Sequence, residues 1–124
     1  MADELQISST MIATVGGNKL VEHKESTARF DVAGNNAFQN VQDIGFAAHE
    51  ALTIPADCAG IGAGIVKNLD PTNFIELGVD VSATFYPLIK LLPGMCLPVY
   101  FAIDAVYAKA DTASCQLLVK AIQE

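Results

Sequence analysis

The fold is predicted most clearly by residues 68–124, which have the sequence NLDPTNFIELGVDVSATFYPLIKLLPGMCLPVYFAIDAVYAKADTASCQLLVKAIQE. Apolar segments of strand length are separated here by short turn signals, of which Asp70-Pro71-Thr72-Asn73 is the clearest. Leu92-Pro93-Gly94-Met95 has proline at its second position and glycine at its third, which predicts a type II turn. Together these features predict an antiparallel β-module in this half of the chain.

Apolar residues at every second position mark the inner faces of the predicted strands. Residues 75–79 and 115–121 both alternate in this way. Pro87 and Pro98 interrupt two other strands, and proline cannot donate a hydrogen bond to a neighbouring strand. We therefore expect each of these prolines on an edge strand or at a bulge.

The N-terminal segment alternates in the same manner and predicts a half-buried strand. One face of it carries Leu5, Ile7, Met11, Ala13 and Val15. Gly16-Gly17-Asn18 follows as a turn that accepts positive φ angles. A returning strand is predicted from Lys19 to Glu25, and a further one over residues 28–32.

The middle of the chain is ambiguous between helix and strand. Phe38, Val41 and Ile44 are spaced by three, which fits a helical stripe. Gly45 interrupts such a helix, and the residue before Pro55 favours extended backbone. We favour two strands here, followed by a loop and another extended run over residues 61–69.

About ten short strands with regularly spaced turns predict an all-β fold. We expect a single-domain antiparallel β-sandwich or a jelly-roll-like barrel over residues 1–124, with about eight to ten strands. Residues 1–15 are either part of that domain or an extended strand or arm that contacts a neighbouring subunit.

The composition favours contacts with other proteins over contacts with nucleic acid or membrane. Hydrophobic residues make up 52% of the chain and charged residues 17%, below the ~25% usual for a soluble domain. Some of this apolar material is expected at protein–protein contacts, although a core rich in Ala and Val is the alternative. With a net charge of −7 and 7 scattered basic residues, the chain is not expected to bind phosphates or anionic membranes.

The N-terminal residues MADELQISST are acidic where a signal peptide is basic, and no segment approaches the ~20 apolar residues of a membrane span. Synthesis in the cytoplasm is therefore expected.

The sequence predicts no catalytic, cofactor-binding or metal-binding residues. A dinucleotide fingerprint has glycine at its first, third and sixth positions. Gly60 and Gly62 match the first two of these positions, but the sixth is Ile65. His49 near Cys58 has no identifiable orienting group, and His23 lies apart from both. The chain is therefore not expected to be an enzyme.

Four aspartates fall at predicted turns, and they are Asp70, Asp80, Asp104 and Asp111. Calcium would need several oxygens within one loop, whereas turn aspartates usually accept hydrogen bonds from nearby backbone. We favour the second interpretation.

Tyrosines at strand positions are the candidate interface residues, because tyrosine combines a large apolar area with a polar tip. These are Tyr86, Tyr100 and Tyr107, with core packing as the equal alternative. Leu5 and Ile7 of the first strand complete the predicted interface set.

The ordered motifs of the second half resemble a group of small structural proteins encoded by tailed bacteriophages. NLDPTNFIELG at residues 68–78 is followed by TFYPLIKLLPG at 84–94 and by YAKADTASCQLLVKAIQE at 107–124. VQDIG at residues 41–45 and AHEA at 48–51 also match, so the resemblance covers roughly residues 38–124. Met95 departs from the pattern, which usually has Glu after Pro-Gly.

The resemblance implies a non-enzymatic β-rich virion component, and a capsid decoration (cement) protein is the leading expectation. Its partners would be the major capsid protein or other virion subunits, and it would form homo-oligomers, with a trimer as one option. It would act in the virion after synthesis in the host cytoplasm. The alternatives are a neck, tail or baseplate accessory protein, or a β-sandwich that binds a carbohydrate or receptor.

Overall fold

The chain folds into two compact units that divide between Ala33 and Gly34. The structure is a computed structural model, and it describes residues 4–124 apart from the side chain of Ser26. That 1–124 form one domain stays a prediction, and residues 1–3 of the predicted arm lie outside the described part.

The first unit is a long two-stranded antiparallel hairpin of β1 (Glu4–Val15) and β2 (Asn18–Asp31). Gly16 and Gly17 connect the strands with φ angles of 59° and 81°, which only glycine adopts without strain. The sequence predicted two separate returning segments, but β2 runs through both. The pairing of β1 with β2 shifts register twice, between Ile7 and Ser9 and between Ala13 and Thr14. These shifts accommodate the residues of β2 that interrupt the apolar alternation.

The hairpin is amphipathic but its apolar face is not half-buried as predicted. That face carries the alternating apolar residues of β1 and their cross-strand partners Val21, Ala28 and Phe30. Met11 is 59% exposed, Val15 60% and Phe30 52%, whereas Leu5 and Ile7 are partly buried. The other face holds ion pairs, among them Arg29–Glu4. The alternation was correctly identified, but a two-stranded ribbon has no second layer to cover it.

Residues 34–124 form the second unit, which contains eight strands and one short 3₁₀ helix. The strands are β3 (Ala37–Ile44), β4 (Glu50–Ala51), β5 (Ile61–Asn68), β6 (Ile75–Val81), β7 (Thr84–Leu91), β8 (Cys96–Tyr100), β9 (Tyr107–Ala110) and β10 (Cys115–Gln123), and the helix is Ala56–Cys58. They pair in two four-stranded antiparallel sheets, with orders β3-β10-β5-β8 and β4-β9-β6-β7.

The core lies between the inner faces of these two sheets. Its fully buried members include Val66, Leu117 and Val119 from one sheet and Ile75 and Leu91 from the other. They are the alternating apolar residues of strands β5, β10, β6 and β7. The all-β antiparallel sandwich is therefore confirmed, and the sheets of the described residues do not close into a barrel.

Both strand prolines lie on edge strands, as the sequence predicted. Pro87 is in β7 and Pro98 in β8, each at one end of its sheet. Pro87 also lies where the pairing of β6 with β7 shifts register, between Leu77 and Gly78. Edge positions tolerate a missing N–H because one side of the strand has no neighbour.

The predicted type II turn after β7 is also present. The Met95 N–H donates to the Leu92 carbonyl over 2.9 Å, and Gly94 has a φ of 76°. The turn between β6 and β7 lies at Ser82-Ala83. These two residues adopt φ angles of 52° and 66°, a conformation that costs free energy in non-glycine residues.

We expect Gly78→Ala to destabilise the protein by about 1–3 kcal/mol, because the new methyl group would overlap the Tyr86 carbonyl in β7. Gly45→Ala is the matched control, since a Cβ there meets no atom within 4 Å. Urea denaturation measures both changes. Equal effects of the two substitutions would contradict this account of the bulge.

Candidate functional site

Asn68 is the one buried polar residue in the core of the described chain, with none of its surface exposed. Its Nδ2 donates to the carbonyl of Asn73 over 2.8 Å and to that of Leu91 over 3.1 Å. Its Oδ1 accepts the N–H of Asp70 over 2.9 Å. Asn68 lies in β5 and Leu91 in β7, so this single side chain joins the two sheets.

The loop after Asn68 is organised around the carboxylate of Asp70. Its Oδ1 accepts the backbone N–H groups of Thr72 over 2.8 Å and Asn73 over 2.6 Å. These bonds, led by the one from Asn73, hold the pKa of Asp70 below its ordinary value. Thr112 donates to the Asn73 side chain over 3.0 Å and ties this loop to the loop before β10. The hydrogen bonds of the NLDPTN segment therefore stabilise the fold of this loop.

Two other predicted turn aspartates also accept backbone hydrogen bonds. Asp80 accepts the N–H of Ala83 over 3.1 Å, within the β6–β7 turn. Asp104 accepts the N–H groups of Gly60 and Ile61, each over 2.8 Å. The bonds of Asp104 span distant segments, which the sequence did not predict. Across residues 4–124, no three His, Cys, Asp or Glu side chains are grouped to hold a metal ion.

The arrangement that most resembles a catalytic site is a cluster of four side chains, His49, Asp80, Phe85 and Tyr107. The Nε2 of His49 lies 2.5 Å from Oδ2 of Asp80, and both side chains are about four-fifths buried. The imidazole stacks on Phe85 at 5.3 Å between ring centroids, and Tyr107 is tilted against it at 5.6 Å. The hydrogen bond from His49, ahead of that from Ala83, lowers the pKa of Asp80.

This cluster orients a histidine but contains no nucleophile within it. His49 lies near Cys58 in the sequence, but in the structure its imidazole is hydrogen-bonded to Asp80. The thiol of Cys58 is buried, and burial followed by the charge of Asp57 raises its pKa. A raised pKa disfavours the thiolate, which is the reactive form. Sequence reasoning missed the His49–Asp80 pair because 31 residues separate its members.

The predicted interface tyrosines lie at three separate places in the sandwich. Tyr86 is in edge strand β7 and 52% exposed, and Tyr107 is in β9 beside His49. Tyr100 is in edge strand β8 and 57% exposed, and partial desolvation, followed by the charge of Glu124, raises its pKa. Leu5 and Ile7 belong to the hairpin unit. Their role in an interface stays a prediction.

Several large apolar side chains that the sequence did not single out are exposed on the sandwich. The most exposed is Leu88 in β7 at 72%, next to Pro87. Val81 and Leu92, which flank the same strand, are 55% and 49% exposed. Tyr86 and Leu88 thus give edge strand β7 two exposed large apolar side chains, which we call the apolar edge along β7. No helix among residues 4–124 is long and apolar enough to cross a membrane.

Comparison with protein-family models, with curated proteins and with solved structures finds no match to this chain.

We expect Asn68→Ala to destabilise the sandwich by about 2–4 kcal/mol, because the buried carbonyl of Leu91 and the N–H of Asp70 lose their partner. Asn35→Ala is the control, since Asn35 lies exposed in the segment before β3. The free energy of unfolding of each variant is measured by urea denaturation and compared with that of the parent protein. If Asn68→Ala lowers the free energy of unfolding by less than about 1 kcal/mol, the proposed role of Asn68 in joining the two sheets is wrong.

The lowered pKa of Asp70 predicts a loss of stability in acid. The stabilisation from its hydrogen bonds is complete above the ordinary aspartate pKa of about 3.9 and disappears as pH falls through the lowered folded value. Asp70→Asn should therefore unfold at a lower temperature at neutral pH, and lose less on acidification to about pH 2. Thermal unfolding by circular dichroism tests this, with exposed Asp43→Asn as control. The hypothesis fails if both variants respond to acid as the parent does.

Proposed function

We propose that this chain is a non-enzymatic structural component of a tailed-phage virion, acting as a capsid decoration protein. The observation that supports the proposal is that polar side chains make hydrogen bonds within the fold, whereas large apolar side chains lie exposed at the surface. Asn68, Asp70, Asp80 and Asp104 hold loops and sheets together. Large apolar side chains are left at the surface, which favours assembly with other proteins.

The phage-like motifs support the same proposal. The buried end of β5 and the loop of residues 68–73 are built by one of these motifs, and the hairpin of β6 and β7 by the next. A family that keeps such motifs for folding needs no shared catalytic residue. Its function would then depend on outer faces and edges.

The mechanism follows from repetition of a rigid unit. The sandwich presents the apolar edge along β7, and many copies would bind major capsid protein or other virion subunits at equivalent sites. Weak contacts repeated over a shell add up to strong stabilisation. The net charge of −7 disfavours direct binding to the packaged nucleic acid. A neck, tail or baseplate position uses the same surfaces with fewer copies.

A carbohydrate- or receptor-binding module is the second candidate. The observation that favours it is the aromatic cluster of Phe85, Tyr107 and His49 beside the carboxylate of Asp80. Aromatic faces next to a hydrogen-bonding carboxylate suit the apolar and hydroxyl faces of a sugar ring.

The deciding experiment is co-sedimentation of the purified protein with capsids and with tails of the phage that encodes it. We expect saturable binding to capsids, with hundreds of copies per particle by quantitative mass spectrometry. Leu88→Asp should weaken binding roughly tenfold or more, because it places a charge on the exposed edge of β7. Thr84→Asp, an exposed polar position of the same strand, is the matched control.

Three other outcomes redirect the proposal. A count of three to twelve copies bound to tails indicates a neck, tail or baseplate part. Binding to a glycan array without binding to particles supports the second candidate. Failure to bind capsids, tails and glycans alike refutes both.

A further inference from the structure

We propose that the apolar face of the β1–β2 hairpin docks on the outer face of the β3-β10-β5-β8 sheet of a second copy of this chain. Each copy gives one hairpin and receives one. The inference deepens the proposed structural function by naming a partner and a surface, and it rests on that function only in assuming that the chain assembles.

The hairpin needs a partner for its apolar face. Isolated two-stranded hairpins are marginally stable in water and need a third strand or a packed layer. Met11, Val15 and Phe30 are more than half exposed, and Val21 is 41% exposed. All four lie on the same face, because the register pairs Ala13 with Val21 and the partly buried Leu5 with Phe30.

The receiving surface is the outward face of a sheet whose inward face forms the core. Val66, Leu117 and Val119 point inward, so their neighbours in sequence point outward. The outward residues include four aliphatic side chains on three adjacent strands. They are Val41, Ile65, Leu118 and Ile122, of which Val41 is 52% and Ile65 38% exposed.

Charge also matches between the two surfaces. Lys67 and Lys120 lie on the same outward face, paired in register with Leu118 and Ile65, and they outnumber the carboxylate of Asp43 on that face. Neither lysine has a carboxylate within salt-bridge distance among residues 4–124. The apolar face of the hairpin carries Glu25, which lies opposite Ser9 and whose Oε2 is 2.9 Å from Nε2 of His23.

The surface area that would be buried favours docking of each hairpin on the sandwich of the other copy. Packing of the two hairpins against each other would bury less. β1 has 12 residues, so the hairpin is about 40 Å long and about 10 Å wide. One face covers on the order of 400 Å², and reciprocal exchange buries four such faces, about 1,600 Å² in total. That is the size of a standard specific interface. Two hairpins packed face to face would bury about half as much, the size of a non-specific contact.

The test measures the association state of the full chain by sedimentation velocity over a range of concentrations. We expect the parent protein to form a closed oligomer. Met11→Asp with Phe30→Asp should raise the dissociation constant roughly tenfold or more, because it places charges on the docking face. Ile12→Asp is the matched control, since Ile12 is 48% exposed on the opposite face of the same strand.

A complementation experiment tests the reciprocal surface. Val41→Asp should dissociate the oligomer in the same way, because it lies on the receiving face. Mixing this variant with the Met11→Asp, Phe30→Asp variant pairs an intact hairpin with an intact receiving face. The mixture should therefore associate more strongly than either variant alone. Circular dichroism of each variant checks that its strands are retained.

The inference is overturned by a monomeric parent protein, by equal effects of Ile12→Asp and the double variant, or by mixtures that associate no better than their components. These outcomes are separate from those of the capsid experiment. A monomer that binds capsids refutes the arm exchange alone, and an arm-dependent oligomer that binds no particle refutes the virion function alone.

Discussion

The sandwich depends on a single carboxamide buried between its sheets. Asn68 ends β5 in one sheet and donates to the carbonyl of Leu91 at the end of β7 in the other. A buried polar group without partners is costly, so this arrangement is stable only when both sheets and the loop after β5 are in place. The same residue also anchors the turn after β7, because its carbonyl accepts the N–H of Gly94 over 3.1 Å. One side chain and its backbone thus fix the relative position of three strand ends.

Other polar residues of the second half also make hydrogen bonds that stabilise the fold. Asp70 and Asp104 are charged groups whose hydrogen bonds are taken up by backbone N–H groups. A carboxylate held in this way is a fixed part of the loop, and it has little freedom to bind a substrate or a metal. His49 is similarly held by Asp80 and by aromatic rings. The exposed apolar side chains of the sheets and of the hairpin are a further surface for a partner.

The fold was largely predictable from local patterns, and the candidate sites were not. Alternation in residues 75–79 and 115–121, together with the turn at Leu92–Met95, depends on neighbouring residues and is visible in the sequence. Pro87 and Pro98 marked edge strands because the missing N–H is a local property. The two strands predicted for the middle of the chain are present as β3 and the two-residue β4. The continuous β2 was missed, since its length is set by pairing along the whole of β1. His49 with Asp80, and Asp104 with Gly60, are brought together only by the complete topology.

The two edge prolines have a consequence for behaviour at high local concentration. A protein displayed in many copies, or produced in quantity before assembly, risks unlimited growth of sheet on sheet into fibrils. Pro87 and Pro98 each remove a backbone donor from an otherwise open strand, and β4 is only two residues long. Of the four outer strands of the sandwich, only β3 combines length with an absence of proline. Within the sandwich, three of the four outer strands therefore resist pairing with another sheet, and β3 is the long edge that stays open.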